Sequence, residues 1–289
     1  MNRRRSFGSR GGGRRPVSYG PRSGGRRGGC GRLVVGLIIA SFSIVSYCAS
    51  KEYNPVTGET QYIAMTPRQE IALGLQAAPE MARQHGGLHP DRNAQQLVDN
   101  VGQRIVGRSD AGETQWQFEF HLLADEQMVN AFALPGGQIF ITAALFQRLE
   151  TEGQLAGVLG HEVGHVVGRH SAQRMAQSKL TNGLTGAVAV ASGDARAATV
   201  AAAISQMVNM KHGRGDELQS DELGVRFLAQ AGYDPRSLIR VMEILAESRP
   251  SGGPPEFFST HPNPDNRIGR IQDAIREVYP NGVPEGLIR

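Results

Sequence analysis

The stretch Gly160-His161-Glu162-Val163-Gly164-His165 determines the fold prediction for this 289-residue chain. It lies inside an apolar run for which we predict a buried helix over residues 155–173. Residues four apart share one face of a helix, so His161 and His165 present their imidazoles side by side. Glu162 lies about 100° further round the same helix. These polar side chains need partners, because buried polar groups without them are costly.

A zinc ion is the partner that this spacing predicts. Imidazole nitrogens bind zinc at about 2.0–2.1 Å, and His161 and His165 reach one ion from adjacent turns. Zinc lowers the pKa of a bound water molecule to about 7, and a carboxylate placed like that of Glu162 takes its proton during attack on a carbonyl. We therefore predict one catalytic zinc per chain, with Glu162 as general base. Two core histidines satisfied by hydrogen bonds alone are the alternative.

A third ligand must come from elsewhere, since catalytic zinc sites use three protein ligands. A third histidine six residues after His165 is excluded, because that position holds Ser171. Glu217 and Asp221 lie four apart on a predicted helix, where Glu217 is placed to bind zinc and Asp221 to hydrogen-bond a histidine ligand. Glu222 is a rival ligand, and a solvated acidic helix start is the alternative without a metal.

The formal net charge of +4 conceals two unlike parts. Residues 1–32 contain ten Arg, ten Gly and no acidic residue, which leaves 21 basic against 27 acidic residues, a net charge of −6, in residues 33–289. The negative net charge of residues 33–289 argues against a nucleic-acid partner. The Arg/Gly head is predicted to be disordered and to set membrane topology, with an RNA-binding arm as the minor alternative. The only cysteines, Cys30 and Cys48, precede the body, which excludes a disulfide framework there.

An apolar stretch without charges, residues 33–47, follows the head. It is short for a membrane span, which needs about 20 residues, and suits the apolar part of a signal peptide. Three interpretations stay open. Cys48 is lipidated after processing, although Tyr47 is large for a processing site; or the segment continues through residue 49 as an uncleaved anchor; or it is a cleaved secretory signal. Each places the body on the extracytoplasmic face of the cell envelope, with the Arg-rich head cytoplasmic or removed.

The body is predicted to be mostly helical with a small β-sheet. Thr66 with Pro67 and Gln69 forms a helix-start pattern. Predicted helices cover residues 67–83, 93–106, 143–149, 155–173, 216–231, 235–247 and 267–278, and predicted strands cover residues 115–122 and 138–142. The prediction is an α+β fold in four parts: a head (residues 1–32), a signal or anchor (33–49), a linker (50–65) and a zinc-binding domain (66–289).

An Ala/Gly-rich stretch, residues 182–205, fits none of these elements. We predict a small-residue helical hairpin or a mobile flap. Asp194 and Arg196 interrupt the stretch and argue against a membrane span. A loop is predicted for residues 251–255.

Four segments together resemble one known family. They are Gly160-His161-Glu162-Val163-Gly164-His165-Val166-Val167-Gly168-Arg169-His170-Ser171, Asn130-Ala131-Phe132-Ala133-Leu134-Pro135-Gly136-Gly137, Glu217-Leu218-Gln219-Ser220-Asp221, and Ser259-Thr260-His261-Pro262 followed by Arg267-Ile268. Over residues 66–278, in this order, they resemble the HtpX and CAAX-prenyl-protease type of gluzincin, metallopeptidase family forty-eight. The integral-membrane members of that family have several spanning helices. This chain has one candidate, so it looks like the soluble periplasmic, BepA-like branch.

The resemblance implies a mostly helical zincin fold and assigns the zinc ligands. They are His161, His165 and Glu217, with Glu162 as general base and Asp221 hydrogen-bonded to a ligand histidine. His170 is given no role on this reading and is expected to be structural or exposed.

The resemblance also implies a substrate-binding edge strand over residues 130–142. Its named residues are Asn130, Ala131, Phe132, Gly136 and Gly137. An extended protein substrate would add to that edge as a further strand, paired through backbone amides, which suits broad specificity.

His261 and Arg267 are the remaining candidate catalytic residues. Either is placed by the resemblance to stabilise an oxyanion above the zinc. Alternatively, His261 occupies the open zinc position and keeps the enzyme latent. In a third interpretation His261-Pro262 caps the last helix and Arg267 pairs with a carboxylate such as Asp221.

The predicted function is therefore a zinc-dependent endopeptidase acting on proteins, tethered to the membrane through residues 33–49 or a lipid on Cys48. Misfolded or misassembled envelope proteins are the substrate class that the resemblance implies. The alternatives are a zinc-containing, chaperone-like binding protein with little proteolysis, and an RNA-binding adaptor that uses the Arg/Gly head.

Overall fold

The computed structural model describes residues 28–192, 195–247, 257, 259, 261 and 266–289, and for residues 195–212 it describes the course of the helix alone. Within these residues the protein is mostly helical with two small sheets, which confirms the predicted α+β class. The helices in the described part are α1 (Gly28–Ala49), α2 (Pro67–Gln84), α3 (Arg92–Gly107), α4 (Ala143–Phe146), α5 (Glu152–Val167), α6 (His170–Ser192), α7 (Ala195–Ala231), α8 (Ser237–Glu247) and α9 (Arg267–Val278), with a 3-10 turn at Asp110–Glu113.

The central sheet has three strands in the order β3-β5-β4. They are β3 (Glu119–Leu123), β4 (Ala131–Ala133) and β5 (Gln138–Thr142). The strand β3 runs parallel to β5 and β4 runs antiparallel to it. All five residues of β5 are buried, as expected for a strand with neighbours on both edges.

Helix α5 lies at the centre of the domain and packs against α3, α7 and α8. Almost every residue of α5 is buried, including both motif histidines. Its contact with α7 is close: a Cβ atom added to Gly164 would lie 2.8 Å from the carbonyl oxygen of Ser220. A glycine inside the motif therefore lets the α7 backbone approach, and this approach brings Glu217 and Asp221 beside the histidines.

The first helices begin where the sequence indicated. Thr66 and Gln69 form a reciprocal capping box at the start of α2, and Pro67 is its first residue. The side chain of Asp91 accepts hydrogen bonds from Asn93 and Ala94 at the start of α3. Local capping chemistry alone sets these two boundaries.

Residues 50–65, predicted to be a linker, have regular structure. They contain a hairpin of β1 (Lys51–Asn54) and β2 (Glu59–Tyr62). The buried amides of Asn54 and Gln61 donate to the carbonyl oxygens of Val167 (2.7 Å) and Gly168 (2.8 Å). The hairpin thus supplies donors to carbonyls at the end of α5 that have no partner within the helix.

The predicted single helix over residues 155–173 is two helices. Helix α5 ends at Val167, and Arg169 takes a left-handed conformation with φ of 55° before α6 starts. Such a conformation is strained for a residue with a side chain and persists only where tertiary contacts hold it. Here the buried guanidinium of Arg169 donates to Glu70 through Nε at 3.0 Å and approaches Glu52 at 2.6 Å.

Two further predicted boundaries differ from the structure. Helix α7 begins at Ala195, not at residue 216, and joins the Ala-rich stretch to the acidic one without a break. The apolar N-terminal segment is also longer than residues 33–47. Cys30–Ala49 forms a helix of 20 residues that is long and apolar enough to cross a membrane by length and composition, and it is the one such helix among the described residues.

Some predictions lie outside the described residues. They concern residues 1–27 of the head, the loop at residues 251–255 and the cap at Pro262. The cap position of α9 is held by Asn266, whose side chain makes no capping hydrogen bond.

Candidate metal centre

Four buried side chains converge on one point between α5 and α7. One donor atom from each of His161, His165, Glu217 and His261 lies within 4.8 Å of the other three. The Nε2 atoms of His161 and His165 are 3.1 Å apart, and each lies 3.3 Å from an oxygen of Glu217. Ligands at about 2.0–2.1 Å from a tetrahedral zinc ion are about 3.3 Å from one another. The donor set and its spacing therefore fit zinc.

The outer nitrogen of His161 is held by a carboxylate. Nδ1 of His161 lies 2.8 Å from Oδ1 of Asp221, so Nδ1 carries the proton and Nε2 is free to face the cluster. Asp221 is held in turn by Arg267, whose Nε and Nη2 donate at 2.7 and 2.9 Å. The same guanidinium lies 3.5 Å from Glu217.

These contacts determine the protonation of His161. Burial alone lowers its pKa, but its hydrogen bonds with the carboxylates of Asp221 and Glu217 outweigh burial and raise the pKa to about 9. The cluster thus carries enough negative charge to hold a proton on His161 well above neutral pH. A divalent cation draws on the same negative charge.

Glu162 supports the fit of a metal ion from the other side. It is fully buried, and neither of its carboxylate oxygens has a hydrogen-bond partner among the described residues. Burial raises the pKa of this carboxyl. Nε2 of His261 lies 3.5 Å from the Oε1 atom of Glu162. A buried carboxylate without a donor is costly, and a cation in the adjacent cluster with a water molecule beside it supplies the missing interactions.

His170 was expected to be structural or exposed, and the structure shows it buried beside the site. Its Nδ1 lies 2.9 Å from Nδ1 of His165, and its Nε2 lies 2.9 Å from Oε1 of Gln219. Burial lowers the pKa of His170 to about 4, so the ring is neutral. The break between helices α5 and α6 at Arg169 turns the side chain of His170 back towards the site. The continuous helix predicted over residues 155–173 gave no indication of this contact.

His261 lies between the cluster and the sheet. Its Nδ1 is 3.1 Å from Oε2 of Glu217 and 3.5 Å from Nε2 of His161. Its Nε2 is 3.2 Å from the carbonyl oxygen of Ala131 in β4. His261 is therefore a fourth candidate metal ligand, and it also contacts the backbone of β4 at Ala131.

Only part of the predicted edge strand lies at an edge. The strand β5 is central, whereas β4 is the edge strand. Gly136 and Gly137 form the turn between them with φ of 83° and 120°, and their carbonyl oxygens accept from Gln117 and Glu119 at the opposite side of the sheet. Residues 130–142 are therefore not one edge strand, because the glycine turn folds the second half back into the sheet.

Two hydrogen bonds at the ends of β4 show which of its backbone groups pair with β5. Thr142 N–H donates to Asn130, and Leu134 N–H donates to Gln138, so the even-numbered residues pair with β5. In an antiparallel pair the alternate residues face away. The backbone groups of Ala131 and Ala133 consequently point away from β5, and the carbonyl oxygen of Ala131 meets Nε2 of His261 there.

The rival ligand Glu222 lies outside this site. Its side chain is half exposed and pairs with Arg270 at 3.5 Å on the outer face of α7 and α9. Of the two adjacent carboxylates, Asp221 faces α5 and Glu222 faces solvent, as their angular separation on a helix requires.

Comparison with known proteins gives consistent matches. The model of peptidase family M48 matches residues 92–275. The beta-barrel assembly-enhancing protease of Yersinia pestis is 28% identical over 259 residues, covering 86% of this chain and 52% of the relative. For the same-named protein of Escherichia coli K12 the values are 27% over 263 residues, 86% and 53%. The mitochondrial metalloendopeptidase OMA1 of Schizosaccharomyces pombe is 28% identical over 248 residues, covering 85% of this chain and 72% of the relative. The chain thus spans about half the length of the two bacterial relatives.

Proposed function

This chain belongs to peptidase family M48, and on that premise we propose that it is a zinc-dependent endopeptidase that hydrolyses peptide bonds of proteins. The family indicated by the motif segments is thereby confirmed. The observation that carries the proposal is the convergence of His161, His165 and Glu217 on one point, with the unpartnered carboxylate of Glu162 beside it.

Each residue has a distinct role in the proposed reaction. His161, His165 and Glu217 would hold the ion, and Asp221 with Arg267 would keep His161 in the tautomer that offers Nε2. When bound, zinc polarises the scissile carbonyl and increases the acidity of the attacking water. Glu162 accepts the proton of that water and delivers it to the departing amine nitrogen. Arg267 acts through Asp221 and is a positioning residue in this scheme.

The proposed substrate is an extended segment of a protein chain. Ala131 and Ala133 present backbone donors and acceptors at the open edge of β4, and a substrate strand paired there would pass the metal cluster. Backbone pairing reads few side chains, which suits cleavage of many unfolded or misassembled sequences.

His261 is proposed to hold the enzyme latent. Its Nδ1 completes the ligand set, and its Nε2 takes the Ala131 carbonyl oxygen that a substrate strand would use. Substrate binding would require His261 to leave both positions. An oxyanion-stabilising role for His261 is the second candidate.

We place the peptidase domain on the extracytoplasmic face of the cell envelope, anchored by α1. This proposal takes α1 as an uncleaved anchor, since the helix continues through the exposed Cys48. Processing before Cys48 would remove residues 1–47, and a lipid on Cys48 would then be the anchor instead. The names of the bacterial relatives concern beta-barrel assembly, and a role in envelope protein quality control is proposed here by that analogy.

The test is chelator-sensitive digestion of casein by the purified full-length chain. Glu162→Gln should reduce cleavage by about 10²-fold or more, because the amide cannot accept the proton of the attacking water. Zinc measured by elemental analysis should stay at one per chain. A protein that binds unfolded casein and zinc but shows no chelator-sensitive cleavage would support the chaperone-like alternative.

A further inference from the structure

Helices α6 and α7 run antiparallel away from the metal centre. His170 contacts Gln219, and further out Arg174 pairs with Asp216 at 3.1 Å, so residue numbers fall on α7 as they rise on α6. Two stretches without charged residues follow beyond these pairs, residues 180–193 and 197–210. We call residues 180–192 of α6 and 197–210 of α7 the hairpin arms. Each arm is about 20 Å long.

Helix α1 packs along the α6 arm in a fixed register. Tyr47 Oη lies 3.5 Å from Oε1 of Gln177, at the end near the domain. Further out, a Cβ atom on Gly183 would lie 2.2 Å from Oγ of Ser43. Small residues at such contacts allow helix backbones to approach closely, as in membrane helix pairs.

The contact between α1 and α6 that lies farthest from the domain follows the same register. A Cβ atom on Gly36 would lie 2.7 Å from Cβ of Ala191 and 2.8 Å from the carbonyl oxygen of Ala187. The three contacts show that α1 and α6 are antiparallel. They also place the charge-free residues 33–45 of α1 level with the α6 arm.

Charged and aromatic groups lie at the domain end of the segment in which α1 runs beside the α6 arm. Tyr47 stacks on Tyr62 with ring centroids 4.5 Å apart, and Lys51 lies 5.6 Å from the Tyr62 ring. Lys179 ends the charge-free stretch on α6 at about the height of Tyr47, and Lys211 ends it on α7. Tyrosine and lysine are typical of membrane–water interfaces.

Three hydroxyl groups of the α1 and α6 segments donate to carbonyl oxygens within their own helices. Ser43 donates to the carbonyl oxygen of Ile39 at 2.8 Å, Thr181 to that of Gln177 at 3.1 Å, and Ser192 to that of Val188 at 2.7 Å. Hydroxyl groups bonded to a carbonyl four residues back need no water. Exposed apolar side chains, Val188 and Val190, lie on the same arm.

We propose that the hairpin arms enter the lipid bilayer beside α1, so that three helices rather than one are embedded in the membrane. A bilayer that contains α1 cannot exclude an arm packed against it over the same height. By sequence alone, Asp194 and Arg196 argued against a span. In the sequence these two residues lie between the two charge-free stretches and so outside both arms. The proposal rests on the anchoring proposed for α1 and is independent of peptidase activity.

The test measures thiol reactivity in single-cysteine variants of the full-length chain carrying Cys30→Ser and Cys48→Ser. The purified protein is reconstituted into phosphatidylethanolamine and phosphatidylglycerol vesicles and treated with N-ethylmaleimide, which crosses membranes but reacts with thiolate in water. Val188→Cys and Met175→Cys form a matched pair on α6, since the native side chains are 38% and 37% exposed. Val188→Cys should react about tenfold or more slowly than Met175→Cys, because lipid suppresses thiolate formation.

Phe42→Cys separates failure of the hairpin from failure of the anchor. The native side chain is 75% exposed on α1, so this thiol should be protected if α1 is in the membrane. Protection at Phe42 with full reactivity at Val188 overturns the hairpin proposal alone. Reactivity at both positions overturns the anchor as well.

A bimane label on Val188→Cys distinguishes lipid from a second copy of the chain. Brominated acyl chains should quench the label at Val188 and leave the label at Met175 unchanged. Protection from maleimide without quenching means that protein covers the arm, and this result contradicts insertion into lipid. Val190→Cys repeats the measurement should Val188→Cys fail to fold.

Discussion

The imidazoles of His165 and His170 meet Nδ1 to Nδ1 at 2.9 Å across the break between α5 and α6. Because Nε2 of His165 faces the metal cluster, its Nδ1 carries the proton and donates it to His170. His170 then donates through Nε2 to Gln219, whose amide donates to Glu59 of the β1–β2 hairpin at 2.8 Å. The orientation of one ligand thus depends on a chain of hydrogen bonds that ends at the protein surface.

Removing His170 should weaken metal binding. We expect His170→Ala to reduce zinc affinity about 10- to 100-fold, as loss of a hydrogen bond to a ligand histidine commonly does. Competition with a chromogenic chelator measures the affinity. His121→Ala is the control, because His121 is a partly buried histidine bonded to Gln138 in the sheet. Equal zinc affinity in both variants would contradict the positioning role.

Removing His261 should release the proposed latency. His261→Ala leaves His161, His165 and Glu217 in place, so zinc should stay bound while casein turnover rises several-fold. Steady-state cleavage and elemental analysis provide the two readouts. Lower turnover with zinc retained would favour the oxyanion role instead, and loss of the metal would remove both roles.

Proline substitutions separate the two sides of β4. Ala133→Pro removes an N–H on the open edge and keeps the ladder to β5, so kcat/KM for casein should fall while the melting temperature stays nearly constant. Phe132→Pro removes a ladder hydrogen bond to β5 and should lower the melting temperature well below that of Ala133→Pro. If Ala133→Pro cleaves casein like the wild type, substrates do not pair with this edge.

Arg169 is expected to matter for stability in two separable ways. Arg169→Ala leaves the buried carboxylate of Glu70 without its partner and should destabilise the fold by about 3–5 kcal/mol. Arg169→Gly loses the same ion pair but adopts the left-handed conformation without strain, and should be about 1 kcal/mol more stable than Arg169→Ala. Denaturant unfolding in detergent measures both. Equal stabilities would show that the left-handed conformation stores no strain.

The sequence predicted those parts of the site whose signals are local or periodic. The i, i+4 spacing places His161 beside His165, and it also places Glu217 and Asp221 on one helical face. The start of α2 was equally readable, because Thr66, Pro67 and Gln69 carry its cap within four residues.

The parts that escaped prediction depend on contacts between distant residues. Gly168 is a local signal for a helix end, but the conformation of Arg169 at the break is held by Glu70, which lies 99 residues earlier in the chain. The buried place of His170 follows from that break. Residues 50–65 looked like a linker because the function of Asn54 and Gln61, binding carbonyls of Val167 and Gly168, becomes visible only when α5 is in position.

The length of α7 connects two distant parts of the protein. Its 37 residues form one helix about 55 Å long, and Glu217 lies near the middle of it, between the arm and the core. A stiff rod of this kind converts a tilt at one end into a displacement at the other. If the α7 arm enters the bilayer as proposed, a change in bilayer thickness or curvature would tilt α7 and shift Glu217 relative to the two histidines of α5.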